Sequence, residues 1–334
     1  MVCAELVFAS LEMTTAHLII PSQPEKGEVT ERQRNFVLKV AAKELKEDEQ
    51  TREQCLARLR EWIHQNRDIQ GCILDDRFLL RFLRSKKFSL HMTQQMVLKY
   101  LNLRKCFSHI CSGLDWKDER FLRLLNEGYT FPSPFRDKNG RRVVLTVLKK
   151  FNTSLFTSTD MARAHTITYE TMMDDEETQV LGFNHVIDIA GASPSIITMW
   201  PPNEFATLVK WADQSFPMRH KEINVVHLPS MFKYVYDFAA SRVSQKIRDR
   251  TKFHDTLADL HKVLDPPTLP SEYGGIMSTN EMIELWKEEL INKRDRLLSY
   301  DRMNLLSDQG IIRRRTKIND ADSLNGSFRR LHVD

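Results

Sequence analysis

Two spacings of apolar residues divide the chain. Up to about residue 125 they recur every three to four positions, the period of an amphipathic helix. "LARLREWIHQN" puts Leu56, Leu59, Trp62 and Ile63 on one face. "DDRFLLRFLRSKKFSLHMTQQMVLKYLNLRKCF" predicts two more helices. Phe78, Leu79, Phe82 and Leu83 form the inner face of the first, and Met96, Val97, Tyr100 and Leu101 that of the second. Ser89 stands between them as an N-cap.

Beyond residue 126 the pattern shortens to β-branched runs, "RRVVLTVLKKF", "FNHVIDIAG" and "EINVVHLPS". These suit strands covered on both faces of a mixed, mostly parallel sheet. Helical segments separate them. One spans about 160–178, and another is "NEFATLVKWADQSF", with Phe205, Leu208, Val209 and Ala212 on one side. The fold class is therefore α/β, a helical N-terminal region followed by a sheet flanked by helices. Expected boundaries are a tail at 1–29, a helical domain at 30–125, an α/β domain at 126–277, a closing helix at 278–300 and a polar basic tail at 301–334. That last tail carries "RRRTK" and is expected to be disordered.

One stretch fits neither pattern. Read as a single helix, residues 229–250 ("PSMFKYVYDFAASRVSQKIRDR") are apolar around roughly two thirds of the circumference in the first half. In the second half Arg242, Lys246 and Arg250 make one row at i, i+4, i+8. Arg219 and Lys221 precede the strand before it. If the helix folds back along that strand, these cations ring one mouth, which suits an anionic lipid headgroup. Each half also has a plain reading, a core helix and a dipole-compensating C-terminus.

Composition narrows the chemistry. The net charge of +4 and the charged fraction of 28% give no case for nucleic acid. Five cysteines without a C-x-x-C pair read as reduced thiols of a cytosolic protein, not as a zinc site. The N-terminus lacks the basic start of a signal peptide, and no run of 18 apolar residues predicts a membrane-spanning helix. The sequons at Asn152 and Asn325 then carry no weight. "GASPS" at 191–195 fails as a nucleophile elbow, because Ser195 replaces the glycine that the turn requires. The run Asp174, Asp175, Glu176, Glu177 reads as a solvated helix end and not as a metal site. His185 and Asp188 alternate to opposite faces of one strand. No catalytic residue and no cofactor are expected.

"DDRFLLRFLRSKKF", "SFPMRHKEINVVHLPSMF", "QKIRDR" and "LPSEYGG", in that order, resemble the CRAL-TRIO family of lipid-transfer proteins, in its tocopherol-transfer, retinaldehyde-binding and clavesin branch. The resemblance spans about residues 30–295. It implies a lipid-binding α/β domain whose pocket is covered by a mobile gate helix at about 229–250. It further implies phosphoinositide contacts at Arg219, Lys221, Lys246 and Arg250, and pocket walls at Leu208, Ala212, Phe216 and Ile223. His220 stands where such proteins often carry a small or apolar residue.

These readings combine into one expectation. The chain carries a hydrophobic lipid as cargo to or between phosphoinositide-bearing membranes, endosomal or other, as a cytoplasmic and peripherally bound protein. Its oligomeric state is open, with a monomer as the expectation. Phe232, Val235, Phe238, Val243 and Ile247 form the side of the gate that meets the bilayer. The alternatives are a phosphoinositide-sensing module without cargo and, remotely, a lipid hydrolase using Ser193 or Ser195.

Overall fold

The computed structural model describes residues 31–312. The tail expected at 1–29, the "RRRTK" run and Asn325 lie outside the described residues. Helices α1 (Glu31–Val40, ending in a π-type turn, Ala41–Leu45), α2 (Glu49–Gln65), α3 (Asp76–Ser85) and α4 (Leu90–Cys106) form the helical part. Side-chain caps start two of them, Asp48 accepting from the Thr51 amide and Asp75 from the Phe78 amide. Ser89 occupies the N-cap of α4 but makes no side-chain cap bond. The predicted inner faces of α3 and α4 are fully buried together with Leu56, Leu59 and Ile63 of α2. A two-residue strand, β1 (Ile69–Gln70), pairs with β7 (Asn304–Leu305) and ties this layer to the C-terminal segment.

After α5 (Glu119–Asn126) the chain builds a five-stranded sheet: β2 (Thr130–Arg136), β3 (Arg142–Val147), β4 (Phe183–Asp188), β5 (His220–Val226) and β6 (Thr251–His254), in that spatial order. β2 runs antiparallel to β3, and all other neighbours are parallel. β2 and β6 are the strands of this sheet that the pattern missed. Pro132 and Pro134 of β2 cannot donate to a ladder, and they are tolerated because β2 lies at the edge and its register shifts there. The crossovers are α6 (Ser158–Met172) with α7 (Glu176–Leu181), then α8 (Pro202–Ser215), then α9 (Ser230–Ala240) with α10 (Gln245–Arg248). The closing helix α11 (Thr279–Leu298) starts on a capping box between Ser278 and Glu281. It buries Met282, Ile283, Trp286 and Leu290 in the α/β core. No helix among the described residues is long and apolar enough to cross a membrane.

The segment read as one helix over 160–178 is two, and of the acidic run at their junction only Asp174 is buried, the other three being half-buried. Asp174 is 4% exposed and pairs with Arg77, Lys293 and Arg296. Asp175 caps α7 and pairs with Arg136 at 2.6 Å. Burial opposes ionisation of Asp175, but the Arg136 guanidinium outweighs it and holds the carboxyl well below its ordinary value. Glu176 and Glu177 reach Arg84 and Arg136. Every acid in the run meets an arginine or lysine from a distant segment, so this loop joins the helical layer to the sheet.

Candidate functional site

Packing is uneven across the molecule. Core residues of α3, α4, β3 and β4 are nearly all below 5% exposed. Around α8, α9 and α10 the apolar side chains are only half-buried. Phe205, Leu208, Val209 and Ala212 of α8 all keep accessible surface, as do Phe216 after it and Ile223 on β5. On α9 only Phe232 is fully buried. α8 lies against α4 on one side and α9 on the other. The first four residues of β5 are half-buried and its last three buried.

The stretch 229–250 is not one helix. α9 ends at Ala240, and the chain turns through 241–244 before α10. The cause comes from outside the segment. Asp213 on α8 accepts from the Ser244 amide at 2.9 Å and from its hydroxyl at 3.2 Å, while the Ser241 hydroxyl donates back to the Phe238 carbonyl. Such side-chain bonds compete with the helical ladder. Arg242 therefore leaves the predicted basic row and lies over the Phe238 ring. Of the side chains expected to meet a bilayer, Phe232 instead packs inward against Ile189 and Val225. Val235, Phe238, Val243 and Ile247 are half-buried. The apolar groups that face outward are Met231, Tyr234 at 81% exposure, and Phe253 on β6.

A cluster of rings borders the same space. The Tyr129 hydroxyl and His165 Nε2 are 3.0 Å apart, and His165 stacks on Tyr169. The Tyr169 hydroxyl is 3.4 Å from His185 Nδ1, and His185 Nε2 is 2.9 Å from His220 Nδ1. Burial pushes His165 and His220 down to about 4 and His185 well below its ordinary value. These imidazoles are neutral in the fold, whereas an unfolded chain protonates them near 6.5. Stability is then complete above about pH 6.5 and is lost as the pH falls towards about 4. Thermal melts across this window should show a falling Tm in the wild type and a shallower fall in His165→Phe. A flat profile in the wild type would contradict the neutral cluster.

The predicted cations do meet, at the end of the sheet where the parallel strands begin. Arg141 precedes β3, Arg219 precedes β5 with Lys221 inside it, and Arg250 precedes β6. Gly182 (φ 86°) precedes β4, and a Cβ there would come 2.4 Å from the Arg219 carbonyl, so only glycine lets these chains approach. Lys246 on α10 completes the group. Glu44, in the turn after α1, pairs with Arg219 at 2.6 Å and also with Lys221. Burial, opposed by Lys221 and Arg219, leaves the Glu44 carboxyl below its ordinary value. Arg219 and Lys221 are nevertheless also pushed down, by burial and by neighbouring cations. One carboxylate is shared between two cations and does not balance them. Lys246 is pushed down by burial and then by Arg250, Lys86, Arg219 and Lys87. Arg250 is lowered by burial and by Arg141 while its guanidinium donates to the His220 carbonyl. Glu222 on β5 also pairs with Arg141 at 2.7 Å, yet Glu44 and Glu222 together leave net positive charge among Arg141, Arg219, Lys221, Lys246 and Arg250, the condition in which an anion binds.

Sequence reasoning missed Arg141, Lys86, Lys87 and Glu44. The "RSKKF" run at the end of α3 was the available signal for two of them; Glu44 offered none. Ser193 and Ser195 bond to each other at 2.6 Å in an exposed turn, and Ser195 also to Thr153. A crevice between β2 and α11 is lined by Pro132, Arg142 and Trp286, and an open groove lies beside Phe36 on α1.

Comparison with known proteins points to one family. The profile of the CRAL/TRIO domain matches residues 126–275. The human alpha-tocopherol transfer protein-like protein is 30% identical over 258 residues, covering 77% of this chain and 75% of that protein. Mouse clavesin-2 is 27% identical over 256 residues, 76% of this chain and 78% of its own. Clavesin-1 of Xenopus laevis is 28% identical over 240 residues, 72% of each. Among solved structures Sfh5 superposes with a TM-score of 0.52 at 17% identity, covering 75% of this chain and 99% of that one, a likeness of fold.

Proposed function

We propose that this chain, which belongs to the CRAL/TRIO family, binds a hydrophobic lipid between α8, α9 and the sheet and delivers it at phosphoinositide-bearing membranes. The observation that carries the reading is loose apolar packing around α8, α9 and β5, in contrast to the fully buried side chains of α3, α4, β3 and β4. Leu208, Ala212, Phe216, Ile223, Val235 and Phe238 all keep accessible surface. This loose packing supports a chamber that a lipid would fill.

The energetics favour this use. Enclosing about 400 Å² of apolar ligand surface gains about 10 kcal/mol before the costs of binding. Hydrophobic burial then supplies the affinity, and release becomes the difficult step. In water, lifting α9 exposes Phe232, Val235 and Phe238 at roughly 1.5–3 kcal/mol for each large side chain. At a bilayer those side chains enter the interface, joined by the outward Met231 and Tyr234. Each lysine or arginine near an anionic surface adds about 1 kcal/mol. The Asp213–Ser244 contact between α8 and the α9–α10 turn is the point where the cover would hinge. On this reading the protein works in the cytoplasm as a peripheral membrane binder, with cargo and no catalytic step.

Native mass spectrometry of the purified chain, followed by extraction, is expected to show a bound lipid. The loaded protein should move that lipid between two vesicle populations faster when the acceptor contains phosphoinositide. An empty chain that binds phosphoinositide vesicles without moving lipid would replace this reading with a sensing module. Ester hydrolysis abolished by Ser193→Ala would replace it with a hydrolase.

A further inference from the structure

The turn between α9 and α10 ends on a serine that faces solvent. Ser244 is exposed, and it is held by a side chain from another element. Its amide donates to Asp213 of α8 at 2.9 Å, and its hydroxyl donates to the same carboxylate at 3.2 Å. Ser241, at the start of the turn, instead donates to the Phe238 carbonyl of its own helix at 2.6 Å. Arg242 precedes Ser244 by two residues and Lys246 follows it by two, with Arg248 and Arg250 beyond. Asp249 is the single acid from 242 to 250, so this stretch carries a net charge of +3. An exposed serine with cations on both sides matches the charge pattern by which a kinase with an acidic substrate groove selects its targets. The four-residue α10 is one turn long, so laying 242–248 out in an extended form sacrifices few helical bonds.

From this arrangement we infer that Ser244 is a phosphorylation site for a serine kinase directed to basic sequences, and that its phosphate frees the α9–α10 turn from α8. Magnesium-bound ATP is the co-substrate. A bond forms between Ser244 Oγ and the γ-phosphorus, the bond from that phosphorus to ADP breaks, and the hydroxyl proton passes to a base of the kinase. The modified oxygen has no proton to donate to Asp213, and it sets about two negative charges beside that carboxylate. Repulsion then acts against the remaining amide bond. Arg248 supplies the new partner. Its Nη1 donates to the Val243 carbonyl at 2.6 Å, next to Ser244, and a phosphate placed there takes a charge-assisted pair. The net charge of 242–250 falls from +3 to about +1. One modification thus loosens the segment that carries α9 and discharges the part of the cationic edge that Lys246 and Arg250 supply. The site stands without any cargo; its use as a switch of membrane binding rests on the function proposed above.

The test incubates the full chain with the catalytic domain of protein kinase C and radiolabelled magnesium ATP, and maps the label by peptide mass spectrometry. Label at Ser244 is expected, kept in Ser241→Ala and lost in Ser244→Ala. Replacing both Arg242 and Lys246 with alanine is expected to lower kcat/KM for the labelling about tenfold, as two complementary charges are removed. In the phosphorylated chain, hydrogen exchange at the Ser244 amide is expected to quicken about tenfold as its bond to a charged acceptor is lost. The change should be smaller in Asp213→Asn, which keeps an acceptor and removes the repelling charge. No label at Ser244 after exhaustive incubation, or label at Ser241 alone, would overturn the site. Unchanged exchange at Ser244 in the phosphorylated chain would overturn the release. Vesicles containing phosphatidylserine separate the switch from the membrane reading, with binding expected to weaken about 30-fold on phosphorylation. An unmodified chain that does not bind them contradicts the membrane reading, whereas equal binding by the modified and unmodified chains contradicts the switch.

Discussion

Replacing Glu170 with alanine is expected to cost about 3–5 kcal/mol of folding stability, measured by chemical denaturation. Glu170 lies on α6 with no exposed surface. Its carboxylate takes a hydrogen bond from Arg81, 1% exposed, at 2.8 Å and another from the Tyr100 hydroxyl at 2.7 Å. Arg104 lies 3.8 Å away. Burial alone would lower the Arg81 pKa, but Tyr100 and Glu170 outweigh it and push the pKa up. Deleting the carboxylate leaves a guanidinium enclosed by Phe78, Phe82, Tyr100 and Tyr300, whose ring faces compensate only part of the charge. Arg81 Nε and Arg104 Nη1 already lack hydrogen-bond partners, and without Glu170 the Arg81 guanidinium keeps only the Tyr100 hydroxyl as a hydrogen-bond acceptor among the described residues. Glu170→Gln preserves an acceptor for Tyr100 and should cost less. Lys262→Ala, which breaks an exposed pair with Asp259, should cost under about 0.5 kcal/mol. A Glu170→Ala loss below about 1 kcal/mol would mean that α3, α4 and α6 are held by apolar packing and not by this ion cluster. The consequence reaches the site, because Glu170 faces the helical layer while the adjacent Tyr169 faces the ring cluster.

What the sequence made legible followed from local spacing. The helix faces of Phe78–Leu83 and Met96–Leu101, and the three β-branched strands, are set by residues three, four or two positions apart; the helix faces, β3 and β4 came out buried as expected, and β5 only in its last three residues. The features that were not legible depend on partners far along the chain. β2 was hidden by its two prolines, which only an edge position permits. The break at 241–244 depends on Asp213, about 30 residues earlier. The acidic run looked solvated because its cations come from α3, β2 and α11. At the candidate site, Arg219, Lys221, Lys246 and Arg250 were each visible as basic residues. Their meeting point needed the parallel sheet, which lines up the starts of β3, β5 and β6. Glu44 was invisible, since nothing in its surroundings distinguishes it from any acid on a helical surface.

That same carboxylate decides how the cationic edge should respond to mutation. Removing both Lys246 and Arg250 as alanines is expected to weaken binding to vesicles containing a few mole per cent of phosphoinositide by about 30-fold. The figure is two cations at about 1 kcal/mol each near an anionic surface. Neither side chain pairs with a carboxylate within 4 Å among the described residues, and Arg250 donates to a backbone carbonyl. The loss should therefore appear in binding and not in Tm. Glu44→Gln should act in the opposite direction. On the proposed reading Glu44 would compete with an incoming phosphate for Arg219 and Lys221, and with the charge gone both would be available to the headgroup. Tighter binding by severalfold is expected, with a steeper dependence on salt, because more of the interaction is then screened over the Debye length of about 8 Å at physiological ionic strength. Combining Glu44→Gln with the double alanine variant tests whether all four cations act on one headgroup. If they do, the gain from Glu44→Gln shrinks when Lys246 and Arg250 are absent, as groups sharing a ligand are not additive. Equal binding of wild type and Lys246→Ala/Arg250→Ala to vesicles with and without phosphoinositide would remove the headgroup from the mechanism and leave membrane contact to Met231, Tyr234 and Phe253.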